Sequence, residues 1–302
     1  MLTQFQYYSF FILFFSIFFC SSLHNSNWGN YEIDNNSLNI KNKEIENVVN
    51  NQIEYINSLF PNVNNNSKFK ITITDYDSKQ KLSNTWEWSL GFIRGHQIII
   101  KDPANTHISK NRFIKVLRHE INHLYLNKLN NKDIPRWFQE GFAMKYAKQN
   151  HISYKLNVAN ELSNKDLFNI NHLDEKFNST RTMFDFAYGY SLVIIDCIPI
   201  FYDKSTINTI INNLKNGNNF EDSFSNATFS NLDEFNKNLS DYIDRKYRWL
   251  NLIKFPNFIL VFAPFLLFIG FIFKRLNNQK ILEKWEIEEE LLDLQNDDEN
   301  IN

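Results

Sequence analysis

Cysteine is nearly absent from this chain of 302 residues, whose only two cysteines are Cys20 and Cys197. Cys20 ends an apolar leader, so a mature chain without that leader keeps one thiol and forms no internal disulfide. The shortage therefore excludes a disulfide-stapled fold and a cysteine-based zinc site. Cys197 lies in an apolar run, residues 192–198, which predicts a small, buried hydrophobic side chain.

An excess of charge of one sign is also missing, because the formal net charge is -2. A protein that binds nucleic acid usually carries a basic surface, so we expect no nucleic-acid partner. Glycine and proline are scarce, at 7 and 6 residues, and no Pro/Gly/Ser-rich linker or internal repeat interrupts the middle of the chain. We therefore expect one domain over residues 23–254, between two apolar segments.

The first apolar segment, residues 9–20, has the length of a signal-peptide core and is short for a membrane span. No lysine or arginine precedes Lys41, so the α-amino group alone supplies the positive charge that usually opens a signal peptide. We predict that residues 1–22 are a signal peptide or an N-terminal anchor. Lipidation at Cys20 is a third option, which the bulky Phe18 and Phe19 disfavour.

The second apolar segment, residues 255–273, contains no charged residue and lies between Lys254 and Lys274. At about 1.5 Å of rise per residue, a helix of this length matches the roughly 30 Å hydrocarbon core of a bilayer. A buried core helix is the alternative, but Trp249 and the basic residues on both flanks suit lipid headgroups better. The pattern predicts one transmembrane helix over residues 255–273.

The orientation of this segment depends on the leader, because basic residues are nearly balanced on its two sides. If the leader directs export, the segment anchors an extracytoplasmic domain to the membrane and residues 274–302 form a cytoplasmic tail. This tail is acidic, and we expect it to be solvated and partly helical, without a chemical role.

Hydrophobic periodicity places strands early in the domain and helices later. Alternating and apolar patterns predict strands at Phe69–Thr74 and Gln97–Lys101. Helical patterns cover residues 43–60, 110–129, 135–148, 183–201, 206–215 and 232–250. Residues 149–182 are polar and irregular, and we expect them to form a loop around a cleft. This order of elements indicates an α+β domain.

The motif H-E-x-x-H occurs at residues 119–123, inside one of the predicted helices. Residues four apart on a helix point the same way, so the imidazoles of His119 and His123 can reach one ion. Glu120 lies beside them, close enough to take a proton from water at the metal without being a ligand. Zinc suits such a site, with three protein ligands and an open position. The alternative is an ordinary amphipathic helix with exposed histidines.

Glu140 is the candidate for the third ligand. It shares one face of the next predicted helix with apolar side chains, and a carboxylate on a buried face needs a partner. A metal is one such partner, and a salt bridge to Arg118 or Arg136 is the alternative. Gly141 and Ala143 are small, so we expect them to let this helix approach the H-E-x-x-H helix closely.

The blocks R-H-E-I-N-H-L and I-P-R-W-F-Q-E-G-F-A together resemble the gluzincin metallopeptidases, specifically the peptidase MA-like family with a C-terminal transmembrane helix. The resemblance implies a zincin-like domain with a small mixed sheet, an H-E-x-x-H helix and a mostly helical C-terminal part. It also implies that His119, His123 and Glu140 hold one Zn²⁺ per chain and that Glu120 is the general base.

The same resemblance suggests how substrate is held. In the family an edge strand pairs with the extended substrate backbone, and Gln97–Lys101 is the matching segment here, although a core strand is the alternative. Trp86, Trp88 and Phe92 are candidates to line the approach.

Tyr188 is the candidate for stabilising the oxyanion. The block A-Y-G-Y-S at residues 187–191 resembles an A-Y-x-x-S-like block that the family carries on a later helix. A donor of this kind must lie where negative charge develops on the attacked carbonyl. Tyr190 is the substitute candidate, and ordinary tyrosine packing is the alternative for both.

One position departs from the family pattern. Some gluzincins place an aspartate one turn after the ligand glutamate, where it orients a ligand histidine. Ala143 and Met144 occupy the corresponding positions here, so a partner for that histidine must come from elsewhere or be a backbone carbonyl.

These features predict a membrane-anchored zinc metallopeptidase that hydrolyses peptide bonds in a protein or peptide substrate. One alternative is a zinc-binding domain of the same fold that cleaves nothing and acts as an interaction module at the membrane. A second is a purely structural domain whose H-E-x-x-H sequence is accidental.

Overall fold

The computed structural model divides the chain into two compact units, Met1–Arg245 and Lys246–Asn302. The residues that it describes are 22–26, 28–37, 39–61, 68–74, 89–129, 133–149, 152–249 and 257–299. Residues 1–21, which include Cys20 and all but the last residue of the predicted leader at residues 1–22, therefore lie outside the described residues, as do Trp86 and Trp88.

The first unit contains a five-stranded mixed sheet with the strand order β1-β2-β3-β5-β4. β2 and β3 are parallel, as are β3 and β5, whereas β1 and β4 run antiparallel to their neighbours. The strands are β1 (Ser22–Ser26), β2 (Gly29–Asn35), β3 (Phe69–Thr74), β4 (Gly91–Arg94) and β5 (Gln97–Lys101). In β3 the buried and half-buried residues alternate, so one face of this strand packs into the core.

Over the described residues the two edge strands of the sheet are β1 and β4, and this corrects the expectation that Gln97–Lys101 is the edge strand. β5 lies between β3 and β4 and has three consecutive buried isoleucines. β4 joins β5 through a two-residue turn in which Gly95 has a φ of 62°, a conformation that glycine adopts without strain. The expectation was wrong because β4 has only four residues, too few for a recognisable pattern.

Helices make up most of the remaining described residues. They are α1 (Asn42–Leu59), α2 (Pro103–Thr106), α3 (Lys110–Asn127), α4 (Arg136–Tyr146), α5 (Ile152–Asn160), α6 (Leu173–Lys176), α7 (Arg181–Phe201), α8 (Thr206–Lys215), α9 (Phe220–Thr228) and α10 (Leu232–Tyr247). Two 3₁₀ helices, Lys165–Phe168 and Ile170–His172, precede α6. The prediction of an α+β domain with a small mixed sheet and a mostly helical later part is confirmed.

The segment predicted as an irregular loop, residues 149–182, is instead a series of short helices that includes α5 and α6. Their hydrophobic pattern is weak because each buries little; α5 buries only Val158 and Ala159. Cys197 is buried on α7, which confirms the prediction for that residue.

The core of the first unit is centred on α3, α4 and α7. Among the described residues, α7 is the one helix long and apolar enough to cross a membrane, but 67% of its apolar window is buried within the structure. Burial of this kind is typical of the central helix of a folded domain. Gly141 on α4 faces this helix, since an added Cβ would lie 2.3 Å from the Ser191 carbonyl oxygen. The expectation that Gly141 serves the approach to α3 was therefore wrong; it allows close contact with α7.

The second unit contains one long helix, α11 (Asn257–Glu299). The predicted membrane segment falls mostly within it, although residues 255 and 256, and the side chains of residues 257–261, lie outside the described part. From Phe262 to Phe273 the large apolar side chains other than Ile269 are exposed, and the helix continues through the acidic tail to Glu299.

Candidate metal centre

α3 carries three of the candidate site residues. Ser109 caps its N-terminus by accepting a hydrogen bond from the Arg112 N–H at 3.3 Å. The helix is buried on most sides, so His119 and Glu120 are only 7% and 5% exposed. This burial overturns the alternative of an amphipathic helix with exposed histidines.

α4 carries Glu140, which is buried on the face towards α3. Pro135 precedes this helix and has no side chain that could cap it. Asp174 of α6 supplies the cap instead, because its two carboxylate oxygens accept the N–H groups of Arg136 and Trp137, both at 2.8 Å. A negative charge also suits the positive end of the helix dipole. The start of the helix that presents Glu140 is thus fixed from a segment 37 or 38 residues away.

Three donor atoms from the two helices converge at one point. His119 Nε2 and His123 Nε2 lie 3.0 Å apart. Glu140 Oε2 lies 3.3 Å from the first nitrogen and 3.2 Å from the second. The sequence predicted that these three side chains would meet, and the structure brings them together.

The donor set fits a divalent cation. Donors about 2.0–2.1 Å from a tetrahedral zinc ion lie roughly 3.3–3.4 Å from one another. The observed separations of 3.0–3.3 Å are close to these values. Two imidazoles and one carboxylate are also the ligand types of a zinc site that leaves a fourth position open. These three residues can therefore hold such an ion with little rearrangement.

Glu140 has a second partner at its other oxygen. Its Oε1 lies 3.6 Å from Arg136 Nε, while Oε2 faces the two imidazoles. The salt bridge between Glu140 and Arg136, which the sequence suggested as the alternative to metal binding, is therefore present together with the contacts between Glu140 and the two histidines. Arg136 is held in place by the Phe177 ring, 4.5 Å from its guanidinium carbon, and by a 3.1 Å hydrogen bond to Asn178.

Glu120 lies beside the three donors, under the edge of the sheet. A Cβ added to Gly91 of β4 would lie 3.0 Å from Glu120 Oε1, so glycine lets the edge strand pass this close. Burial raises the pKa of Glu120 to about 7, against the lowering effect of His119, while the charge of Glu140 raises it further. A carboxyl group with a pKa near neutrality can both accept and return a proton.

The two candidate tyrosines have different surroundings. The Tyr188 ring stacks on His119, with centroids 6.5 Å apart, and lies close enough to Glu140 for the charge of that carboxylate to act on its hydroxyl. Burial, followed by the charge of Glu140, raises the pKa of Tyr188 well above its usual value, so the hydroxyl keeps its proton. Tyr190 is fully buried and donates to the Phe168 carbonyl at 2.8 Å, away from the three donors.

The second ring nitrogen of His119, Nδ1, is buried and has no hydrogen-bond partner within the described part of the structure. Ala143 and Met144, which occupy the positions of the family aspartate, are both buried core residues. The alternative partner that the sequence required is therefore not found among the described residues.

Two further residues near the site were missed by the sequence analysis. Asn122, inside the H-E-x-x-H motif, is fully buried and donates to the Ala143 carbonyl at 3.0 Å. Gln52 of α1 donates to Asn122 Oδ1 at 2.7 Å and to the Tyr146 carbonyl at 3.1 Å. The only sequence signal for Gln52 was its position on the otherwise apolar face of α1.

Comparison with known proteins agrees with the fold and the site. The sequence profile of the Peptidase MA superfamily matches residues 63–245, which is more than half of the chain and includes both ligand helices. A search of curated proteins finds no match. A match of this extent, together with the mixed sheet and the His-His-Glu cluster, identifies the chain as a member of the Peptidase MA superfamily.

Proposed function

We propose that this protein is a zinc metallopeptidase of the gluzincin type, with one zinc ion per chain, that hydrolyses peptide bonds in a protein or peptide substrate. The observation that carries the proposal is the convergence of His119 Nε2, His123 Nε2 and Glu140 Oε2 within 3.0–3.3 Å of one another. Zinc is the metal that best suits this donor set. When bound, it supplies Lewis acidity that lets water attack an amide carbonyl at neutral pH.

Glu120 is the proposed general base. Its carboxylate accepts a proton from the attacking water and afterwards returns it to the leaving amine. Its position next to His119 on α3 places it beside the donors without making it one of them. The pKa of about 7 keeps both protonation states accessible near neutral pH.

Tyr188 is the proposed donor to the carbonyl oxygen as that oxygen becomes negative. Its hydroxyl keeps its proton and lies beside Glu140, whose charge acts on it. A preorganised donor at this position stabilises charge only as it develops. Tyr190 is unsuited to the role because its hydroxyl donates to the Phe168 carbonyl, away from the three donor atoms.

β4 is the proposed docking strand for substrate. An edge strand offers unpaired backbone groups to which an extended peptide can add as a further strand. β4 is one of the two edge strands among the described residues, and a Cβ added to its Gly91 would lie 3.0 Å from Glu120 Oε1. A peptide paired with β4 would pass close to the general base, with Phe92 on the same strand.

We also propose that residues 255–273 anchor the protein in a membrane, with the peptidase domain outside the cytoplasm and the acidic tail inside. The four consecutive side chains from Phe265 to Phe268 point in different directions around α11, and each is at least 60% exposed. A helix that is apolar on all sides and exposed suits lipid better than water. Export by the leader at residues 1–22 sets the orientation.

Replacement of Glu120 by glutamine tests the peptidase assignment. Gln has nearly the same shape but accepts no proton, so Glu120→Gln should bind as much zinc as the wild type and lose at least about 100-fold in turnover of a peptide library. Glu221→Gln, at an exposed position on α9, is the matched control and should keep full activity. Peptidase activity retained by Glu120→Gln would overturn the assignment.

A further inference from the structure

A pair of buried amides connects the two helices that carry the candidate ligands. Asn122 and Gln52 are 0% and 3% exposed. Asn122 Nδ2 donates to the Ala143 carbonyl of α4 at 3.0 Å, and Asn122 Oδ1 accepts from Gln52 Nε2 at 2.7 Å. Gln52 Nε2 also donates to the Tyr146 carbonyl at 3.1 Å. The two side chains therefore link α1, α3 and α4.

The bond from Asn122 to Ala143 lies at the level of the donors. Asn122 directly precedes His123, and Ala143 follows Glu140 by nearly one helical turn. A slip of α4 by one residue along α3 would move Glu140 by about 1.5 Å. Metal–ligand distances tolerate only about 0.2 Å. A direct hydrogen bond between the helices limits such a slip, whereas contact between apolar side chains constrains it less.

The chemistry of the amide matches its two neighbours. One end of Asn122 must donate, because it faces a carbonyl, and the other must accept, because it faces the Gln52 amide. Aspartate offers no donor, and leucine offers neither group. An apolar side chain would fill the same volume without the desolvation that a buried amide requires. The hydrogen bonds therefore limit the slip of α4 along α3 more strictly than apolar packing alone would.

Gln52 completes the arrangement by satisfying the Tyr146 carbonyl. The last carbonyls of a helix lack partners within that helix, and Tyr146 is the final residue of α4. Gln52 thus orients Asn122 and holds the end of α4 at the same time.

We propose that Asn122 is a positioning residue for the metal centre: with Gln52 as its support, it fixes the register of α4 against α3, so that Glu140 meets the two imidazoles. The inference rests on the proposed zinc site and adds to it residues that are not ligands. Neither Asn122 nor Gln52 belongs to the group of three side chains that could hold the metal.

The test compares three variants of the full-length protein: Asn122→Asp, Gln52→Leu and Thr228→Val. Thr228→Val removes a buried hydroxyl that donates to the Phe224 carbonyl on α9, and serves as a control for the loss of a buried hydrogen bond. Three quantities are measured: the zinc dissociation constant by competition with a chelator, the visible absorption spectrum of the Co²⁺-loaded protein, and the urea midpoint of unfolding.

Asn122→Asp should raise the zinc dissociation constant by about 10- to 100-fold and change the Co²⁺ spectrum, because the donor to Ala143 is lost. Gln52→Leu should raise the constant by less, since the Asn122–Ala143 bond remains. Thr228→Val should lower the urea midpoint without changing either metal readout. If Asn122→Asp does not fold, Gln52→Leu compared with Thr228→Val carries the test.

The inference fails if the wild type binds zinc and the variants at Asn122 and Gln52 bind it equally tightly with the same Co²⁺ spectrum. It also fails if Thr228→Val weakens zinc binding as much as they do, because the effect is then one of general stability. A wild type that binds no zinc overturns the proposed function and this inference together, which distinguishes that failure from the other two.

Discussion

Two buried carboxyl groups beside the same imidazoles have opposite pKa shifts. Burial raises the pKa of both, but in Glu140 the charge of His123 and hydrogen bonds from both histidines outweigh it and hold the pKa well below its usual value. In Glu120 burial prevails and the pKa rises to about 7. Divergent pKa values of this kind are typical of sites that need one permanent anion and one group that exchanges protons. Glu140 is suited to bind a cation and Glu120 to move a proton.

The pKa of Glu120 predicts how the stability of the metal-free protein depends on pH. Because the folded pKa of about 7 exceeds the ordinary 4.5, Glu120 contributes stability that is fully present below about pH 4.5 and lost as the pH rises through 7. The loss is on the order of 3 kcal/mol. Glu120→Gln does not titrate, so the stability of the wild type relative to this variant should fall by that amount between pH 4.5 and 8. Urea unfolding at several pH values measures it; a constant difference contradicts the shift.

The two tyrosines on α7 provide a matched pair. Tyr188→Phe removes the hydroxyl that lies near Glu140 and should lower kcat about 100-fold or more, with a small effect on KM. Tyr190→Phe removes the bond to the Phe168 carbonyl and should cost about 1 kcal/mol of stability while leaving kcat unchanged. Steady-state kinetics and urea unfolding separate the two effects. Equal kcat values for Tyr188→Phe and the wild type would remove Tyr188 from the mechanism.

At the scale of elements, α4 is held at three points along its length. Asp174 of α6 caps its beginning, Gly141 contacts α7 in its middle, and Asn122 of α3 binds the Ala143 carbonyl near its end. Glu140 lies between the first and last of these points. Such a helix has little freedom to slide or tilt, so its carboxylate stays aimed at the imidazoles.

Gly141→Ala should separate α4 from α7. The added methyl group would lie 2.3 Å from the Ser191 carbonyl oxygen and 2.6 Å from Ile195 Cγ1, so backbone must move. We expect a loss of roughly 1–3 kcal/mol in the free energy of unfolding, together with weaker zinc binding. Gly270→Ala on α11 is the control, because its added Cβ meets no atom within 4 Å. Urea unfolding measures both, and wild-type stability in Gly141→Ala would contradict this packing.

The regular elements of the fold could be predicted where a strong hydrophobic pattern exists. The sequence alone placed β3, β5 and α8 with the bounds that the structure shows, and it placed the start of α3 at Lys110. β1, β2 and β4 were missed because their patterns are short; β2 has only two buried side chains, those of Tyr31 and Ile33. Because β4 was missed, β5 was taken for the edge strand.

The ligand set could be predicted because it depends on local spacing. His119 and His123 are one helical turn apart, and Glu140 is a carboxylate among apolar neighbours. Asn122 and Gln52 gave no comparable signal, since 70 residues separate the two partners and either amide reads as an ordinary polar residue. Contacts between distant polar side chains depend on the tertiary packing, which the sequence pattern does not specify.

At the scale of the whole molecule, the family match does not cover all the elements that support the site. The match begins at residue 63, so β1, β2 and α1 precede it. α1 nevertheless contributes Gln52, and Trp28, in the turn between β1 and β2, packs against Tyr125 of α3 with ring centroids 5.6 Å apart. The described residues before position 62 are therefore part of the same folded unit as the region that matches the family.

The proposed membrane topology is tested with a peptide tag added after Asn302. In intact cells an antibody should not reach this tag, because the proposed topology puts the tail in the cytoplasm. Leu267→Arg together with Phe268→Arg should expose the tag, since each arginine opposes insertion by roughly 2.5–3.5 kcal/mol. Leu282→Arg together with Trp285→Arg, in the exposed tail, is the control and should leave the tag protected. A tag accessible in the intact wild type would contradict the topology.

The metal content of the protein tests the central claim most directly. Elemental analysis of the full-length wild type should find one zinc ion per chain. His123→Ala and Glu140→Ala should each remove it. His172→Ala, at an exposed histidine that pairs with Glu175 and is not a candidate ligand, should keep it. Absence of zinc from the wild type, or the same zinc content in His123→Ala, would contradict the account.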